Sequence, residues 1–233
     1  MSVLGVEIAE KAFEGAPVLR DLRFDLAEGE VAALLGPSGC GKTTLLSLIA
    51  GLDTDFAGRI ERPEGALAVV FQNPRLLPWR SLAQNIALIP GSGGMARARE
   101  LLNAVGLAEA ADQHPEKVSL GMQRRAALAR ALAMRPSLVL MDEPLVSLDA
   151  ENVGVMRGLI RGLLAESGAT ALITTHDRRE ALALADRVLE IGDTPARMLR
   201  DRRSPLDREE RRNTEDVEAL YRAWFSDPAR AAE

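Results

Sequence analysis

Eight consecutive residues, Gly36-Pro37-Ser38-Gly39-Cys40-Gly41-Lys42-Thr43, leave this chain few ways to fold. They fit G-x-x-x-x-G-K-[ST]. They follow the apolar run Val31-Ala-Ala-Leu-Leu35, which suits a strand buried on both faces, and they open a helix expected from Lys42 to about Ala50, stopped by Gly51. At this chain's own residue frequencies a chance match anywhere is on the order of 10⁻³. The pattern has a physical cause. Glycines let backbone N–H groups turn toward phosphate oxygens, and the following helix adds its positive N-terminal end. The 29 basic residues include only three lysines, so the placement of Lys42 is informative. It supplies a point charge to β- and γ-phosphates, and Thr43 offers a hydroxyl to Mg²⁺. The loop reads as a nucleotide phosphate site.

A hundred residues on, Leu138-Val-Leu-Met-Asp142-Glu143-Pro144 reads as a buried strand ending in two acids. Packing does not explain such a pair, because buried charges need partners. Asp142 is placed to hold Mg²⁺, and Glu143 to act as the general base that orients and activates the attacking water. Mg²⁺-dependent hydrolysis of a nucleoside triphosphate is the economical reading. Kinases and GTPases built on the same loop are its rivals.

The chain has 233 residues, 47% of them hydrophobic, and a net charge of −5. It can bury a sizeable core, and the acidic balance argues against a general nucleic-acid binder. No apolar run approaches the roughly 20 residues of a membrane-spanning helix, and the N-terminus lacks the basic and apolar regions of a signal peptide. A soluble cytoplasmic protein is expected. One cysteine excludes an intrachain disulfide. Val3–Ala9 and Arg23–Ala27 alternate as half-buried strands do, while Ala66–Phe71, Ser137–Met141 and Ala169–Thr175 read as buried strands. Between them, Leu82–Ala133 carries helical spacing broken at Pro90–Gly94 and His114–Pro115. Strands thus bracket a helical insertion. A helix is expected over Arg178–Ala185. The stretch Arg197–Arg212, with seven arginines against four acids, reads as a solvated tail ahead of a helical segment, Thr214–Phe225. The other reading of that segment is a docking helix for a partner.

From about Val3 to Ile191 the chain resembles the ATP-binding subunit of ABC transporters. Besides the phosphate loop and the Asp-Glu strand, four elements appear in the family's order. Phe71-Gln72 resembles the Q-loop, and Val118-Ser-Leu-Gly-Met-Gln123, running into Arg125 and Ala129-Arg130-Ala131, the signature. Ser147-Leu148-Asp149 resembles the D-loop, and Thr174-Thr-His176-Asp177 the switch-histidine loop. Phe13 lies where the family stacks an aromatic ring on adenine; taken alone it reads as core sooner than as an adenine platform.

The resemblance implies an α/β fold: a P-loop NTPase (RecA-like) core with a small antiparallel β region and an inserted helical subdomain. The whole chain would be one domain, with core at about 1–84 and 135–200, helical subdomain at about 85–134 and tail from about 200. It also implies ATP and Mg²⁺ as ligands. Gly36 to Thr44 (Gly36, Pro37, Ser38, Gly39, Cys40, Gly41, Lys42, Thr43, Thr44) and Phe13 would bind nucleotide. Thr43, Gln72 and Asp142 would serve the metal, and Glu143, His176, Lys42 and Gln72 catalysis. Two copies would pair head to tail, so that Ser119, Gly121, Met122 and Asp149 of one copy meet the nucleotide of the other. The family's usual signature has glycine where Leu120 stands and leucine where Val118 stands; a glycine there permits backbone conformations that leucine disfavours.

The segment Asn73-Pro-Arg-Leu-Leu-Pro-Trp79, continuing to Asn85-Ile86, is similar to importer ATPases for nitrate, taurine and aliphatic sulfonates. That likeness implies a peripheral subunit on the cytoplasmic face of the membrane. Its partners would be transmembrane permease subunits and a periplasmic or extracellular substrate-binding protein, with no nucleic acid. Leu76, Leu77 and Trp79 form either a partner surface or part of the helical core. The alternative function is a soluble, non-transport ABC ATPase acting on a ribosome or DNA partner. Cys40 is a small filler, or a thiol whose modification blocks ATP.

Overall fold

The computed structural model describes residues 2–225. In chain order the elements begin with β1 (Ser2–Phe13), β2 (Ala16–Ala27), β3 (Val31–Leu35), α1 (Lys42–Ile49) and β4 (Ala57–Glu61). Next come β5 (Leu67–Val70), α2 (Leu82–Ala87), α3 (Gly94–Ala104), α4 (Leu120–Leu132), β6 (Leu138–Asp142) and α5 (Ala150–Ser167). The last are β7 (Thr170–Thr175), α6 (Arg178–Leu184), β8 (Arg187–Gly192), β9 (Arg197–Arg203) and α7 (Thr214–Phe225). Residues 63–169 form one compact unit, and the chain up to 62 and from 170 forms another.

The flanking unit holds two sheets. In one, β1 pairs antiparallel with both β2 and β4. In the other, β3 lies parallel between β7 and β8, and β9 runs antiparallel along β8. Every residue of β3, an unbroken apolar run, and of β7, where threonines flank Ala171–Ile173, is buried, whereas β9 alternates exposed and half-buried positions as an edge strand does. Helices α6 and α7 close an apolar cluster that includes Ala33, Leu35, Leu182, Val188, Val217 and Leu220.

This corrects the reading of the tail. Arg197–Arg203 is a strand: Arg197 and Arg203 face outward, Arg200 and Arg202 are half-buried, and carboxylates meet arginines of both faces, Glu190 on Arg200 and Glu30 on Arg203. Beyond it, Asp186 takes Arg208 at 3.1 Å and the buried Arg211, and α7 lays Val217 and Leu220 on the core. Periodicity found α7, but charge density hid the strand. The remainder of the expected tail, 226–233, lies outside the described residues.

The 63–169 unit is built on the parallel pair β5–β6 and on a helical cluster. Leu82, Ile86, Leu102, Leu107, Ala126 and Ala129 are in its core. Local chemistry sets the helix ends. Ser81 and Gln84 form a reciprocal capping box on α2, Ser119 caps α4, and Asp149 caps α5, which ends at Gly168 in the left-handed region. The unit is wider than the helical stretch expected at 85–134, because β5, β6 and α5 join it.

Candidate nucleotide site

In the flanking unit the phosphate loop runs from the end of β3 into α1. Gly39 and Gly41 take φ of +80° and +105°, where a side chain is strained, and Gly41 is the residue from which α1 starts. Gly36 is needed for space: a Cβ there would lie 2.7 Å from the Ile191 carbonyl oxygen and 2.9 Å from Cys40 Sγ. The Cys40 thiol is therefore turned inward and buried, the placement of a small filler rather than an exposed nucleophile. Lys42 is buried, and its ammonium donates to the carbonyls of Gly36 and Pro37, both at 2.9 Å. Pro37, Ser38, Gly39 and Thr43 face solvent, with Thr44 half-buried.

The sheet brings the switch histidine to this loop. Leu35 pairs with Thr175, and the Gly36 N–H donates to the Thr175 carbonyl at 3.2 Å, so His176 leaves β7 beside the start of the loop and is exposed there. The hairpin carrying Phe13 also reaches this loop, since a Cβ on Gly41 would meet Leu19 at 2.6 Å and Val18 at 3.1 Å. Phe13 is 49% exposed, so it is not core.

One residue behind it was missed from sequence. Lys11, only 2% exposed, pairs with Asp53 at 2.9 Å, donates to the Asp55 carbonyl at 2.6 Å, and sits 4.5 Å from the centroid of the Phe13 ring. The Asp53 carboxylate holds the Lys11 ammonium above its usual pKa, and Lys11 in turn holds Asp53 below the ordinary carboxylate range. The partners are 42 and 44 positions apart, but Lys11 being one of three lysines was a usable signal.

In the 63–169 unit the acids and the Q-loop share one strand edge. Val70 pairs with Met141 in parallel register, so Gln72 and Glu143 each emerge two residues beyond the last paired positions. Asp142 is buried at the strand end, while Glu143 takes φ +44°, a left-handed conformation that costs a non-glycine residue about 1–3 kcal/mol. The Q-loop is held from the signature helix. Arg130 of α4 donates to the carbonyls of Pro74 and Arg75, both at 2.8 Å, and burial pulls its pKa down; Arg75 in turn stacks 3.9 Å over Phe71. Buried Asn85 accepts from Leu77 N–H and donates to the carbonyls of Leu77, Arg80 and Ser81. The apolar segment divides between its two readings: Leu76 packs on the helical core, and Trp79 is 68% exposed.

At the signature, the Ser119 hydroxyl accepts from Met122 N–H at 3.2 Å, which leaves its own hydrogen to donate. Leu120 is the first residue of α4, with no positive φ and 45% exposed. The expected backbone penalty is therefore absent; the substitution adds an apolar side chain, not strain. Gly121 abuts the D-loop side of the unit, where a Cβ would lie 3.4 Å from Asn152 Oδ1, and Asn152 Nδ2 donates to Asp149 at 2.8 Å. The Asn152 backbone N–H and side-chain amide hold Asp149 below its ordinary pKa.

Among the described residues no three His, Cys, Asp or Glu side chains form a metal cage. The Thr43 hydroxyl and Asp142 carboxylate are hard oxygen donors that fit Mg²⁺, which takes most of its ligands from water and phosphates.

A family model described as ABC transporter matches residues 19–146, more than half of the chain. The chain belongs to the ABC transporter family. It is an ABC-type ATPase with the P-loop NTPase fold, and the rival kinase and GTPase readings fall away. Aliphatic sulfonates import ATP-binding protein SsuB 1 of Pseudomonas savastanoi pv. phaseolicola is 42% identical over 216 residues, covering 88% of this chain and 91% of that one. The protein named Aliphatic sulfonates import ATP-binding protein SsuB of Burkholderia ambifaria is 44% identical over 215 residues, covering 90% of this chain and 67% of that one. Among solved structures, a dimeric ATP-binding cassette in a post-hydrolysis state with ADP and Pi superposes with TM-score 0.76 at 26% identity, covering 88% of this chain and all of that one.

Proposed function

We propose that this ABC ATPase powers import through a separate membrane permease, for an aliphatic sulfonate or a related small oxyanion such as nitrate or taurine. The likeness to sulfonate import subunits over nearly nine-tenths of the chain carries this reading. Among the described residues no helix is long and apolar enough to cross a membrane. The subunit would sit peripherally on the cytoplasmic face, in a complex that includes an external substrate-binding protein.

Phe13 stacks on adenine. Lys42 exchanges its two loop carbonyls for phosphate oxygens, and the N–H groups from Gly36 to Thr44 take the rest. Thr43, Gln72 and Asp142 would hold Mg²⁺, Asp142 through the ion's water shell, and the ion would offset phosphate charge. Glu143 takes a proton from the attacking water, and His176 contacts the γ-phosphate and steadies the transition state. Two copies pair head to tail, and Ser119, Gly121 and Met122 cap the γ-phosphate of the partner copy, with Asp149 linking the two sites. ATP binding then closes the dimer and hydrolysis releases it, a ligand-driven switch.

Glu143→Gln tests the chemistry: it should bind ATP, form a more persistent dimer by light scattering, and turn over little. A variant that kept most of its turnover would remove Glu143 as base. Affinity purification of the tagged chain from gently solubilised native membranes tests the transport reading. A stoichiometric polytopic membrane protein, with loss of alkanesulfonate uptake on deletion, supports it; ribosomal or DNA-repair partners without a membrane protein overturn it.

A further inference from the structure

The chain holds two Trp, one Tyr and five Phe, yet Tyr221, Trp224 and Phe225 all fall in the last five residues of α7. Each carries an arginine. Arg179 lies 3.8 Å from the Tyr221 centroid, Arg178 lies 4.5 Å from that of Phe225, and Arg202 lies 5.5 Å from that of Trp224. Arg179 also forks onto Glu218, donating from Nε at 2.8 Å and Nη2 at 3.1 Å to the two carboxylate oxygens. A planar, two-point pair reinforced by cation–π contact fixes orientation, which a single exposed ion pair does not.

Two of these arginines are the first residues of α6, immediately after the switch-histidine loop. That loop is built on the same helical turn. Asp177 caps it, accepting from Arg179 N–H at 2.7 Å and Glu180 N–H at 3.2 Å. The Thr175 hydroxyl donates to Glu180 at 2.7 Å and accepts from Asp177 N–H at 3.0 Å. The residues on both sides of His176 are thus tied to the first turn of α6, and α7 grips that turn from its outer side through Arg178 and Arg179.

We infer that α7 is a positioning element for His176: the Glu218–Arg179 pair, with the aromatic contacts beside it, holds the first turn of α6 and so sets the reach of His176 toward the γ-phosphate. This rests on the catalytic reading of His176. Glu218 acts through another residue and touches no substrate.

The test is steady-state ATP hydrolysis by the full chain, with folding checked by circular dichroism melts. Glu218→Ala should lower kcat about three- to tenfold, less than the ~100-fold that a full ångström of misplacement costs, with KM for ATP unchanged. His176→Ala should lose more, and His176→Ala with Glu218→Ala should be no slower than His176→Ala alone, since a residue that works only through His176 has nothing left to position. Exchanging the charges, Arg179→Glu with Glu218→Arg, should regain part of what either change loses, since the swap restores the ion pair but not the Arg179–Tyr221 contact. If Glu218→Ala does not fold, Glu218→Gln carries the same comparison. Unchanged kcat in a folded Glu218 variant, or a full additive loss on top of His176→Ala, overturns the inference. A His176→Ala chain that keeps its kcat overturns the reading of His176 and this inference with it.

Discussion

Gly39 and Gly41 stand two residues apart in one loop, both with positive φ, and differ in what surrounds them. An alanine Cβ at Gly39 meets nothing within 4 Å, whereas at Gly41 it would lie 2.6 Å from Leu19 Cδ2 and 3.1 Å from Val18 Cγ1. Gly39→Ala should cost only the left-handed backbone penalty, about 1–2 kcal/mol. Gly41→Ala adds overpacking against β2, typically 1–3 kcal/mol, for a total of about 2–5 kcal/mol. In a domain of this size, 1 kcal/mol moves the melting temperature by roughly 2–4 °C, so the two variants should be separable by calorimetry. The decisive comparison is a cycle with Leu19→Ala. Leu19 is fully buried, and its truncation alone should cost about 2–5 kcal/mol. Combined with Gly41→Ala it removes the nearer obstruction and leaves only Val18 Cγ1 at 3.1 Å, so the double variant should be more stable than the sum of the singles by about 1–3 kcal/mol. Equal losses for the two glycines, or strict additivity in the cycle, would refute the close packing of Leu19 against Gly41 as the reason for a glycine there.

Arg130→Lys keeps the charge but not the fork that spans two carbonyls; it should cost about 1.5–3 kcal/mol and speed amide hydrogen exchange around 73–77, and unchanged exchange there would show that α4 does not clamp the Q-loop. Leu120→Gly should change ATP turnover by no more than about twofold, because the backbone is already helical, and a several-fold rise would show that the side chain itself obstructs the partner nucleotide. Burial opposes the charge on Asp186, but hydrogen bonds from Arg208, Arg211 and Val31 outweigh it and leave its folded pKa below the unfolded one. The stability it contributes is therefore present above the ordinary carboxylate pKa and lost as pH falls through the folded value. Asp186→Asn should flatten that acid limb of the melting curve, and an unchanged slope would remove Asp186 as its source.

The family was legible along the chain because its motifs are short local patterns. The phosphate loop announces itself through glycine spacing and an adjoining apolar run, and the acids 142–143 through their position at the end of a buried strand. Helix and strand periodicity located β3, β6, β7 and α7 to within a residue or two. Failures came where an interaction spans the chain. The arginine-rich segment after 197 looked solvated because its partners, Glu190, Glu30 and Asp186, become neighbours only when β9 lies along β8. Leu120 looked strained because a sequence does not show whether a glycine serves a positive φ or merely a small side chain; here the position is helical.

Residue type and spacing thus located the groups proposed to act on a phosphate, since that chemistry needs particular atoms at near-neighbour separations. Tertiary structure alone decided how those groups are held. Lys11 behind Phe13, Arg130 over the Q-loop and Glu218 behind the switch loop reach their partners across 39 to 55 residues or more, and only folding brings such pairs within hydrogen-bond range.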